Sequence, residues 1–124
     1  MPRKFTCLAL LAVAISSSVY AKCERNEYGV YEENTCAYEA QEKADKQLNV
    51  VYRDLMSVQD EEGKKKLKAA QMAWIKYRDA ELTFVYSVES GSIGQLVAAN
   101  QHERITRERT KILSDWLKNT NWNR

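Results

Sequence analysis

Three stretches of this 124-residue chain repeat apolar side chains every three or four positions, the period of one helical face. Ala37, Ala40, Ala44, Leu48, Val51 and Leu55 form the first stripe and predict a helix over about 35–58. Asn34-Thr35 offers an N-cap, with Glu39 and Glu42 in the first two turns. Asp60-Glu61-Glu62-Gly63 punctuates the pattern. Leu67, Ala70, Trp74, Tyr77, Glu81, Phe84 and Val88 then predict a second helix over about 61–87, interrupted in polarity only by Glu81. By default Trp74 and Tyr77 belong to the core. A turn at Glu89-Ser90-Gly91-Ser92-Ile93-Gly94 separates it from a third helix, about 93–118, carrying Ile93, Leu96, Val97, Ile105, Ile112, Leu113 and Trp116. Asn119–Arg124 is a short polar tail containing Trp122. None of these segments alternates with the period of a strand. The expected fold is all-α: a small antiparallel three-helix bundle.

The first 21 residues follow a different pattern. Arg3 and Lys4 precede an apolar run, Leu8–Ile15, then three serines and Val19-Tyr20-Ala21, with small residues at the −3 and −1 positions of a cleavage site. This predicts a signal peptide cut after Ala21. The run is shorter than the ~20 residues a membrane span needs. Neither Cys7 nor Cys23 follows the small-residue run of a lipidation site. The expected division is therefore a leader over 1–21 and one helical domain over 22–124, exported to the periplasm or beyond and touching the membrane only through export.

Export changes how composition is read. The chain has 19 Lys plus Arg and 17 Asp plus Glu, and the leader takes Arg3 and Lys4 with no acid, leaving the domain balanced. It lacks the basic footprint that nucleic-acid binding requires. Lys64-Lys65-Lys66 reads as a solvated helix face. Cys23 and Cys36 remain after cleavage, and two cysteines in an exported chain predict one disulfide near the N-terminus. With His102 as the one histidine, the soft ligands are too few for a metal site, and no phosphate loop or other cofactor motif occurs.

Taken in order, Cys36-Ala37, Ala44-Asp45, Leu48-Asn49, Tyr52 and Leu55, then Ala70-Gln71, Trp74 and Tyr77-Arg78-Asp79-Ala80-Glu81, then Gly91-Ser92-Ile93 and Arg104-Ile105-Thr106-Arg107-Glu108-Arg109 resemble the lysozyme-inhibitor LprI-like family. The resemblance implies a small exported helical domain. It also implies two further cysteines, at positions held here by Leu82 and Gln101, and a Gly where Ser90 stands. A bridge between 82 and 101 would set facing positions of the second and third helices to sum to about 183, placing Leu67 opposite Trp116, Gln71 opposite Ile112 and Arg78 opposite Ile105. That register suggests a structural ion cluster of Arg78, Glu81, Arg104 and Glu108, with Thr106 nearby, in which Arg78→Ala would lower the melting temperature.

Glu81 and Glu108 would be a candidate acid–base pair for glycoside chemistry, but flanking arginines keep both ionised and a small bundle offers little cleft. His102 has no nucleophile at a supporting spacing and reads as a surface or partly buried helix residue. The chain is expected not to be an enzyme. The expected function is a periplasmic binding protein that inhibits lysozyme or another cell-wall hydrolase. Alternatives are an immunity or accessory protein for a toxin or secretion component, or a structural periplasmic domain. Contact candidates are Glu89, Ser90, Gly91 and Ser92 in the turn, with His102, and Trp122 as an anchor.

Overall fold

The computed structural model describes Cys23 and residues 30–119. The leader and Trp122 lie outside the described residues. The chain forms three helices, α1 (Val30–Ser57), α2 (Glu61–Val88) and α3 (Gly91–Asn119). The second and third begin and end within two residues of the expected bounds. The first starts earlier than expected. Asn34 lies inside α1 rather than capping it, and its Oδ1 is buried with no hydrogen-bond partner. The stretch 30–35 contains neither Pro nor Gly, and Glu33 suits the positive end of the helix dipole, so nothing stops the helix at Asn34.

Cys23 and Cys36 form the expected disulfide, with Cα atoms 5.1 Å apart. Since Cys36 sits on α1, the bridge ties the segment before the helix to its second turn. No helix among the described residues is long and apolar enough to cross a membrane.

Both turns are short because their sequences close them locally. Asp60 caps α2, its Oδ1 accepting the Gly63 N–H at 2.7 Å, with Glu61 and Glu62 in the first turn. At the other end only Glu89 and Ser90 join α2 to α3. The Glu89 N–H donates to the Val85 carbonyl at 3.0 Å, and Gly91 takes a φ of +68°, which glycine adopts without a Cβ clash. Among the described residues no other type has positive φ. Serine at position 90 therefore introduces no backbone strain.

The helices are not equivalent partners. α1 and α3 run parallel, bringing Leu48 and Leu55 against Leu113, and α2 runs antiparallel to both. α1 and α3 approach most closely, through Ala37 and Ala44 on one side and Gly94, Ala98 and Ala99 on the other, all buried. Small side chains permit a short interaxial distance. α2 stands farther off. Leu67 and Trp74 lean on the Leu48–Leu55–Leu113 core from a half-buried position, and among the described residues Gln71 is the buried side chain of α2.

This corrects the reading of the second stripe. Tyr77, Phe84 and Val88 are exposed rather than core, as are Ile112 and Trp116 on α3. The physical reason is the alanine seam: two helices that close on each other bury their own apolar faces first, leaving α2 to cover what remains.

Candidate functional site

Besides the apolar cluster of Leu48, Leu55 and Leu113, the three helices meet at a polar node. Asp45 follows Ala44 on α1 and lies beside the alanine seam. His102 occupies the stripe that runs through Gly94, Ala98, Ile105 and Leu113 on α3, and it is 8% exposed. Its Nε2 lies 2.9 and 3.1 Å from the two carboxylate oxygens of Asp45, which ties α1 to α3. Arg78 comes from α2, its Nη1 3.6 Å from Asp45 Oδ1 and its Nη2 donating to Asp79 Oδ1 at 3.0 Å. One carboxylate thus receives a group from each of the other two helices.

A second layer extends the node along α2. Two guanidiniums approach the Trp74 ring, that of Arg78 at 5.2 Å and that of Arg109 at 6.0 Å from its centroid. Arg109 donates its Nε–H to Gln71 Oε1 at 3.0 Å. Burial pulls the pKa of the Arg109 guanidinium downward. The Gln71–Arg109 contact falls one turn from the Gln71–Ile112 register expected above, and Leu67 and Trp116 line one cavity as that register requires.

The four residues expected as an ion cluster are not brought together as one network. Arg78 turns to Asp45 and Asp79. Arg104 pairs with Glu108 on the same helix, one turn apart, with side chains 54% and 60% exposed. Glu81 makes no ion pair among the described residues and lines a shallow hollow with Tyr77 and Phe84. Thr106 is fully buried, and its hydroxyl has no partner.

The turn residues Glu89, Ser90, Gly91 and Ser92 are all exposed at the tip joining α2 and α3. They stand among exposed apolar side chains: Phe84 is 62% exposed, Val88 61% and Ile93 59%. His102 is no part of this tip, because it is buried against Asp45. Among the described residues no group of His, Cys, Asp and Glu could hold a metal ion.

Asp45, His102, Gln71 and Arg109 are the residues that sequence reasoning missed. A signal existed for His102, since Gly94, Ala98, His102, Ile105, Arg109 and Leu113 keep three- and four-residue spacing. It was hidden because small and polar residues define that stripe, while the bulkier Ile93, Val97 and Ile112 lie off it.

The family comparison decides what kind of domain carries this node. Residues 21–113 match the family described as lysozyme inhibitor LprI. The chain belongs to the LprI family. No curated protein and no solved structure matches it significantly. LprI is an inhibitor family rather than an enzyme family, which makes protein binding the property shared at this level. Trp116 and Asn119 lie beyond the matched residues.

Proposed function

We propose that the chain is exported and inhibits a lysozyme or a related cell-wall hydrolase, presenting the α2–α3 tip to the enzyme's cleft. The observation that carries this reading is the grouping of Phe84, Val88 and Ile93, all mostly exposed, around the exposed segment 89–92. Large apolar side chains grouped at a projecting end mark a contact surface, and aromatic anchors carry most of the energy of such contacts. The tip also has the chemistry for a site built on carboxylates. Ser90 and Ser92 supply hydroxyls, and the first-turn amides of α3 lack intrahelical acceptors and lie at the positive end of the helix dipole. A glycosidase cleft holds two carboxylates, which such donors would engage.

Export is supported by the leader pattern, by the disulfide and by a family match that begins at residue 21, beside the expected cleavage site. Balanced charge in the mature domain implies weak long-range steering, so association would be governed by the contact itself.

The test is a cell-wall lysis assay with lysozyme and the purified mature chain. Inhibition by the wild type is expected to weaken about thirtyfold in Phe84→Ser, the scale of one hot-spot side chain, with an unchanged melting temperature. No inhibition at a hundredfold excess over the enzyme would sink the reading for that lysozyme.

A further inference from the structure

At the end of the bundle opposite the tip, a groove of about 690 Å³ opens where α2 leans away from α1 and α3. Its walls are Leu55, Leu67, Ala70, Leu113 and the exposed ring of Trp116. Both charged residues that line it, Lys66 and Arg109, are cations. Arg109 is the less usual of the two. It is half-buried, gives one donor to Gln71, and forms no ion pair with a carboxylate among the described residues. Arg78, the other guanidinium near Trp74, has two carboxylates.

A guanidinium carries five N–H donors in a planar fork suited to a carboxylate. Holding such a group partly out of water without a counter-charge is costly, and an incoming anion would offset that cost. Beside it the walls are mainly apolar, with Gln59 and Asn119 as the uncharged polar residues of the lining. Between Arg109 and Asn119 the axis of α3 advances about 15 Å, room for an extended alkyl chain.

We propose that this groove binds a single-chain amphiphile with a carboxylate head. The head sits on the Arg109 guanidinium, and the alkyl chain runs along Leu67 and Leu113 to the Trp116 ring, with Lys66 at the rim. The assignment is independent of hydrolase inhibition, which uses the other end of the molecule.

Isothermal titration of the mature chain with dodecanoate, below its micellar concentration, tests it. Saturable one-to-one binding is expected, and dodecyltrimethylammonium, with the same tail and the opposite charge, should bind at least about tenfold more weakly. Arg109→Gln should weaken dodecanoate binding by a similar factor. Ala70→Trp, at an exposed position on the groove wall, should abolish binding while circular dichroism and melting temperature stay as in the wild type. Absence of saturable binding, equal affinity for the cationic amphiphile, or full binding by a folded Ala70→Trp variant would each overturn the assignment. None of these results bears on the lysis assay.

Discussion

Replacing Asp45 with alanine removes a charged group that all three helices share. The two hydrogen bonds from His102 to its carboxylate, at 2.9 and 3.1 Å, come from one nitrogen and count as a single charge-assisted interaction. Hydrogen bonds to charged groups contribute about 1.5–3 kcal/mol. The Arg78 contact adds less, because 3.6 Å is long for an ion pair and Asp79 holds the same guanidinium at 3.0 Å. Asp45 is also partly solvated, which screens it. Together these place the cost of Asp45→Ala at about 2–3 kcal/mol. A domain of this size loses about 4–8 °C of melting temperature per kcal/mol, so a fall of roughly 10–20 °C is expected. The assay is thermal unfolding followed by circular dichroism on Asp45→Ala, His102→Ala and the double variant. Coupling of about 1–2 kcal/mol should appear between them, since loss of Asp45 takes away the carboxylate that His102 Nε2 meets and loss of His102 leaves Asp45 with only the longer Arg78 contact. Arg104→Ala, breaking an exposed pair within one helix, should move the transition by less than about 0.5 kcal/mol. An Asp45→Ala transition within about 4 °C of the wild type, or strictly additive effects, would refute the node as the tie between helices.

Two further substitutions probe the core in opposite directions. Thr106→Val keeps the shape of a fully buried side chain and deletes a hydroxyl that has no partner, so it should raise stability by about 1 kcal/mol in urea titration; a lower midpoint would show that the hydroxyl is satisfied in solution. Gly94→Ala should lower stability by about 1–3 kcal/mol despite alanine's better helix propensity, because a Cβ there would meet the Glu89 carbonyl oxygen at 2.4 Å and backbone yields less readily than a side chain; an unchanged midpoint would mean the turn relaxes freely.

The helices were legible because their signals are local: a three-to-four periodicity, an Asp–Glu–Glu cap and a Ser–Gly turn each act within a few residues. The disulfide was legible from the two cysteines that lie outside the expected leader. What the periodicity could not show is which helix pair would close first. Hydropathy ranks Ile93, Val97 and Ile112 above Ala98, Ala99 and His102, yet burial follows the opposite order because close approach of α1 and α3 selects small side chains. The same choice moved Tyr77 and Phe84 from expected core to surface. The expected ion cluster failed for a related reason. Arg104 has Glu108 one turn along its own helix, while Arg78 has Asp79 beside it and reaches Asp45 across the bundle, so neither guanidinium turns to the other's carboxylate.

That arrangement bears on how a small domain can expose so much apolar surface and still fold. A helix usually joins a bundle by burying its apolar stripe, and a stripe that is buried is not available to a partner. In this chain α2 packs Leu67 and Trp74 on the core and is otherwise held by Arg78 reaching Asp45, by Gln71 accepting from Arg109 and by the two guanidiniums near Trp74. Polar attachment of one face leaves Tyr77, Phe84 and Val88 exposed. The division has an energetic basis: charge-assisted contacts in a half-buried site contribute a few kcal/mol, enough to help seat one helix on the α1–α3 pair. It also separates two properties that usually fail together. Loss of Asp45 should loosen α2 and with it the tip that α2 carries, whereas loss of Phe84 should leave the fold intact and remove only the contact. A protein whose binding surface was its packing surface could not show that separation.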